Sequence, residues 1–88
     1  MRKRLGSIEK LKQELKRRPK TFDLKDARRI LEHEGYQEEA GGNTSGSRVR
    51  FENADGVSFV FHKPHPNSEL KAYIIRNLAD FLEQEGKL

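Results

Sequence analysis

The chain has 88 residues, 33% hydrophobic and 36% charged, enough for one domain with a thin core and too few for two. It has no cysteine, which excludes a disulfide framework, a zinc ribbon and a thiol nucleophile; no apolar run reaches the length of a membrane span or a signal h-region. The net charge is +4 and unevenly placed: residues 1–20 hold nine cations against Glu9 and Glu14, a charge of +7, while the other nine cations meet twelve anions, a charge of −3. Such asymmetry points to nucleic acid or another anionic partner, although charge alone fits a solvated helix face equally well. Absence of cysteine suits a reducing compartment, and the expectation is a small soluble cytoplasmic domain.

Leu5, Ile8, Leu11 and Leu15 are spaced three, three and four apart, one narrow helical stripe. Ser7 is the expected N-cap, and Pro19 should stop this helix near Arg17 by pushing Arg18 off helical dihedrals. Four apolar side chains make it marginal alone, so it docks or frays. Asp23 reads as the N-cap of a second helix over 24–34, with Asp26 in its first turn. Leu24, Ala27, Ile30 and Leu31 form its stripe, and Gly35 closes it.

Residues 36–40 read as a short edge strand and residues 41–46 as a Gly/Asn/Ser loop. Two period-2 runs then flank Asn53-Ala54-Asp55-Gly56 and predict a β-hairpin. Val49 and Phe51 on one run and Val57, Phe59 and Phe61 on the other are all odd-numbered and must share the core face. Opposed residues then have an even sum, which demands an odd loop; Ala54-Asp55-Gly56, with Gly56 at a left-handed bulge position, meets that demand. This register opposes Phe51 to Phe59, Val49 to Phe61 and, on the outer face, Arg48 to His62. A slip of one residue would turn every Phe on one strand to solvent.

Pro64 and Pro66 end the last strand. Asn67 or Ser68 is the expected cap of a final helix whose stripe is Leu70, Tyr73, Ile74, Leu78, Phe81 and Leu82, ended by Gly86. The fold class expected is α+β: a three-stranded antiparallel sheet with helices packed on one face, plus an extra N-terminal basic helix. Val49, Phe51, Phe59, Phe61, Ile74, Leu78 and Phe81 should share one core. Residues 1–20 are expected to form a basic helix and linker, dispensable for the fold, and residues 21–88 the domain.

The open sheet face should carry Arg48, Arg50, Ser58 and His62. Arginine offers bidentate donors for phosphate and histidine can move protons near neutral pH; the plain alternative is a polar outer face with Glu52 neutralising an arginine. His62 and His65 lack a third near ligand for a metal. His33 sits between two glutamates and reads as a surface residue. The Gly-rich loop lacks the ending of a nucleotide-binding P-loop, so no cofactor is expected. Tyr73 reads as core. The clusters Arg2-Lys3-Arg4 and Lys16-Arg17-Arg18 could serve as localisation signals, but read more simply as RNA-backbone contacts or a solubilising face.

Gly46-Ser47-Arg48-Val49-Arg50-Phe51, then Lys63-Pro64-His65-Pro66, then Leu70, Ile74, Leu78 and Gly86-Lys87-Leu88, resemble HicA, small toxins of bacterial and archaeal toxin–antitoxin pairs. The resemblance covers residues 21–88. It implies an α-β-β-β-α fold similar to a double-stranded-RNA-binding domain, and an mRNA-cleaving toxin that blocks translation until a HicB-like antitoxin binds it. The family signature is Gly-Ser-His, its His catalytic; here Arg48 stands at that position. Arginine stays protonated and cannot serve as a general base, though it can hold phosphate. Gly46 and Ser47 match the signature, and His65 matches the Pro-x-His position, in a turn or a functional role.

Three readings follow. His62 replaces the missing base, with an arginine on the phosphate, and the toxin cuts RNA without metal; the domain binds RNA without cutting; or the sheet face mainly docks the antitoxin. The expected RNA contacts are Ser47, Arg48, Arg50 and His65 near the sheet, and Lys16, Arg17 and Arg18 at the end of the basic helix.

Overall fold

The computed structural model describes residues 6–39, 48–64 and 68–88. Among them the chain forms helix α1 (Ser7–Lys16), helix α2 (Leu24–His33), strands β1 (Gln37–Glu38), β2 (Arg48–Glu52) and β3 (Ser58–His62), and helix α3 (Ala72–Gln84). The strands make one antiparallel sheet in the order β1-β2-β3. It is the α+β architecture expected, with helices packed on the sheet. The expected loop over 41–46 lies outside the described residues.

α1 begins one residue earlier than its hydroxyl suggested. Gly6 is the N-cap, without a side-chain bond, and Ser7 is the first helical residue, its Oγ accepting from Arg29 Nη2 at 3.0 Å. Ser7 thus ties α1 to α2 instead of capping its own helix. The helix docks: Leu15 is fully buried, Leu11 packs against the core, and Lys12 pairs with Glu34 beyond the end of α2. It closes at Arg17, as Pro19 requires. Arg18 leaves helical space for φ +52°, the left-handed region that costs a non-glycine residue about 1–2 kcal/mol, rather than the extended region usual before proline. That turn aims its guanidinium at α3, where Nη2 donates to Asp80 Oδ1 at 2.5 Å and Glu83 Oε1 at 3.1 Å, and Nη1 to Glu83 Oε2 at 3.2 Å.

Asp23 caps α2 as expected, accepting from the Lys25 amide at 2.7 Å. Leu24, Ala27, Ile30 and Leu31 are buried, and Gly35 takes φ +93° after the last turn. A second use of Asp23 was not legible in sequence. Ser68 Oγ donates to its other carboxylate oxygen at 2.9 Å, and the backbone bonds Leu24 N to Ser68 O and Leu70 N to Phe22 O, 2.7 and 2.8 Å, lash residues 68–70 alongside 22–24. Ser68 is therefore not the cap of α3. Extended pairing there excludes helical dihedrals, so α3 starts later, with Lys71 as an N-cap lacking a side-chain bond. Leu70, expected on the helix stripe, precedes the helix and is still buried.

The hairpin register is the one the parity argument requires. Arg48 opposes His62, Val49 opposes Phe61 and Phe51 opposes Phe59. Asn53 N donates to Val57 O at 2.9 Å, and Asn53 Oδ1 accepts from the amides of Asp55 and Val57. Gly56 has φ +83°, as a three-residue loop demands. β1 is shorter than the 36–40 expected: Ala40 lies outside the described residues, and Tyr36 is fully buried in the core. Glu39 N still reaches Arg50 O at 2.8 Å.

Val49, Phe51 and Phe61 point inward against Ile74 and Leu78 of α3 and the α2 stripe. Phe59 and Phe81, expected inside the core, lie at its margin, half-buried, with their rings 5.0 Å apart. The cause is position: β3 is an edge strand, and α3 covers it from one side. Tyr73 corrects the expectation more sharply. It is 45% exposed, because the buried face of α3 is centred on Ile74, Ile75, Leu78, Ala79 and Leu82, and Tyr73 falls outside that arc.

Candidate nucleic-acid interface

Period-2 alternation turns the even-numbered residues of β2 and β3 away from the helices. Arg48 and Arg50 are exposed, and Val60 and His62 stand beside them. The bond from Asn53 N to Val57 O marks odd-numbered residues as the hydrogen-bonded pairs. Arg48 and His62 therefore form a non-hydrogen-bonded pair, the closer kind, with Cα atoms about 4.5 Å apart. Two different side chains, a fixed cation and a titratable imidazole, thus project from adjacent points of an open face.

The two arginines differ. Arg50 Nε and Nη2 donate to Glu52 Oε1 at 3.3 and 3.1 Å, so its charge is partly met. Among the described residues Arg48 has no ion-pair partner. The neutralising role suspected of Glu52 falls on its neighbour Arg50. Ser47 and His65 lie outside the described residues.

The basic helix belongs to the other side of the molecule. α1 packs on α2 and α3, in the helix layer, whereas Arg48 and His62 occupy the sheet face that none of the described helices covers. Lys16 and Arg17 are exposed. Arg18 is committed to Asp80 and Glu83, and hydrogen bonds from its guanidinium hold the Glu83 carboxyl below the usual carboxylate range. The sequence candidates therefore do not converge on one site. They divide into a sheet-face pair and an exposed Lys16-Arg17 corner. The pairing of Arg18 left no local signal, since its partners lie more than sixty residues away.

A concavity elsewhere is lined by Glu14, Phe22, Asp23, Asp26, Ser68 and Glu69; its carboxylates repel phosphate. His33 is exposed and contacts Glu34 at 3.2 Å. Among the described residues no group of three His, Asp or Glu side chains is arranged to hold a metal ion, and no helix is long and apolar enough to cross a membrane.

No curated protein and no solved structure matches the chain. The sequence model of the family described as "HicA toxin of bacterial toxin-antitoxin" matches residues 24–86. That span runs from the first residue of α2, through the hairpin that carries Arg48 and His62, to the glycine that ends α3, well over half of the chain. The chain belongs to the HicA toxin family of bacterial toxin–antitoxin systems.

Proposed function

We propose that this toxin binds mRNA on the open sheet face and cuts it, blocking translation, and that a HicB-like antitoxin neutralises it by covering that face. The observation that carries the reading is the direct opposition of Arg48 and His62, both exposed. RNA brings its own nucleophile, the 2′-hydroxyl. Arg48 would hold the non-bridging oxygens of the adjacent phosphate and meet the charge that grows on them. His62 would take the 2′-hydroxyl proton as that oxygen attacks phosphorus. The bond to the 5′-oxygen then breaks, that oxygen takes up a proton from solvent, and a 2′,3′-cyclic phosphate remains. Lys16 and Arg17 would add backbone contacts from the helix layer.

A second reading has its own support. The family signature keeps a catalytic histidine where this chain has Arg48, and a guanidinium cannot take up a proton. On that reading the natural chain binds RNA without cutting it. Growth arrest on induced expression separates the two. The cleavage reading expects arrest by the wild-type chain, relief by His62→Ala and relief by a co-expressed HicB-like partner. Absence of arrest by wild type, with arrest restored by Arg48→His, would establish a disarmed binder instead.

A further inference from the structure

The two edges of the sheet are built differently. β1 is two residues long and is followed by Glu39; its Glu38 pairs with Arg28. Short, charged edges are how native sheets avoid pairing with other chains. β3 reads Ser58-Phe59-Val60-Phe61-His62, with no lysine, carboxylate, proline or glycine in it. The backbone shows which of its groups are spare. Arg50 O receives the Glu39 amide, so even-numbered residues of β2 bond toward β1 and odd-numbered ones toward β3. The register then turns Phe59 and Phe61 toward β2 and leaves the N–H and C=O groups of Ser58, Val60 and His62 on the free edge. Among the described residues none of these groups has a backbone partner across that edge.

The side chains at this edge are also incompletely covered. Phe59 is half-buried, Val60 is 40% exposed and Tyr73 45% exposed. Four-residue spacing puts Tyr73 and Asn77 on the same flank of α3 as Phe81, whose ring rests on Phe59. Among the described residues, a strand edge and the helix flank beside it thus form one continuous unpartnered strip.

We propose that β3 pairs antiparallel with β3 of a second copy of this chain, about a two-fold axis through Val60, making one six-stranded sheet. The strand is complementary to its own reverse. Val60 meets Val60 of the second copy, and Ser58 meets His62, as hydrogen-bonded pairs that use the N–H and C=O groups left spare. Phe59 meets Phe61 as the closer, non-hydrogen-bonded pair, which covers the exposed part of Phe59. The only titratable side chain in the strand, His62, faces a hydroxyl, so no like charges are opposed. Both Arg48–His62 pairs then lie on the same face of one sheet, each beside a serine of the other copy. Pairing of the edges requires nothing of the cleavage chemistry.

Sedimentation of the full chain across the micromolar to millimolar range tests this, together with Val60→Lys and Val60→Pro. Lysine at the axis opposes two charges, and proline removes an N–H that points away from β2, a position where edge strands accept it. The expected result is a doubling of mass with concentration for wild type, and monomers with unchanged circular dichroism for both variants. Amide exchange at Ser58, Val60 and His62 should slow with concentration in wild type alone. A wild-type chain that stays monomeric throughout overturns the proposal. So does a dimer that survives both substitutions, and so does a monomeric chain whose β3 amides are protected only by an antitoxin, which would give the edge to a different partner.

Discussion

Phe51 and Phe59 face each other across the hairpin, yet they are not equivalent. Phe51 is fully buried between β2, β3 and the helices, and Phe59 is half-buried at the sheet's edge. Phe51→Ala should cost about 3–5 kcal/mol, the range for a buried ring. Phe59→Ala should cost clearly less, unless a second copy covers it. Urea denaturation of the two variants at low concentration checks the order. Gly56 is a backbone case: a Cβ there has room, its nearest neighbour being Glu52 Oε2 at 3.9 Å, so the penalty of Gly56→Ala is that of φ +83°, about 1–2 kcal/mol. The pairing of Phe51 with Phe59 and the left-handed turn at Gly56 were legible in the sequence, because strand parity and loop length are local. Arg18 and Tyr73 were not. Charge pattern made Arg18 an RNA contact, whereas a left-handed turn before Pro19 carries it to Asp80 and Glu83 on α3. Helical spacing made Tyr73 a core residue, whereas the arc that α3 buries is set by what it packs on. Glycine tolerates the conformation of Arg18, so Arg18→Gly should melt higher than Arg18→Ala, although both lose the ion pairs; the reverse order in a thermal melt would show that the left-handed turn is not strained.

At the scale of elements, α1 carries both exposed cations and a core side chain. Its charge suggests a separable anion-binding arm, and its Leu15 is fully buried in the common core. Deleting residues 1–18 therefore removes a core side chain along with the cations. Leu15→Ala alone should cost about 2–5 kcal/mol. Lys16→Gln and Arg17→Gln are the cleaner electrostatic test, since both side chains are exposed. If they touch the RNA backbone, each should reduce the slope of log affinity against log salt by about 0.7 on single-stranded RNA, without changing stability. An unchanged slope would make the helix a solvated face.

The joints between elements predict a pH dependence. The Lys25 amide and the Ser68 hydroxyl hold the Asp23 carboxyl below its ordinary range, and Arg18 does the same for Glu83. Burial of Glu34 works against ionisation, but Lys12 and His33 outweigh it and lower that carboxyl too. Depressed carboxylates stabilise the fold above their unfolded values of about 4 and lose that contribution as pH falls through the folded ones. Melting temperature should be flat from neutral pH to about 5 and drop below about 4. Asp23→Ala and Glu83→Gln should each lower it at neutral pH and flatten the acid limb.

The start of α3 shows why element boundaries were less legible than elements. Ser68 has the chemistry of a cap, but a carboxylate forty-five residues away claims its hydroxyl, and local pattern carries no trace of that competition. The α2 cap and the hairpin, by contrast, are settled within a few residues of themselves.

Across the whole molecule, the candidate contact residues divide between two layers. The helices cover the inner sheet face, and α1 adds a basic corner behind them. Among the described residues the outer face carries Arg48, Arg50, Glu52, Ser58, Val60 and His62. The opposition of Arg48 and His62 followed from sequence parity alone, while the separation of this pair from the basic helix required the packing of α1 on α2 and α3. Cleavage by the opposed pair is checked by incubating end-labelled RNA with wild type and with His62→Ala under identical conditions. Wild type should cut to fragments ending in a 2′,3′-cyclic phosphate, and the variant should lose about a hundredfold or more in rate, the contribution typical of a general base, with binding largely retained. Equal cleavage by His62→Ala would contradict it.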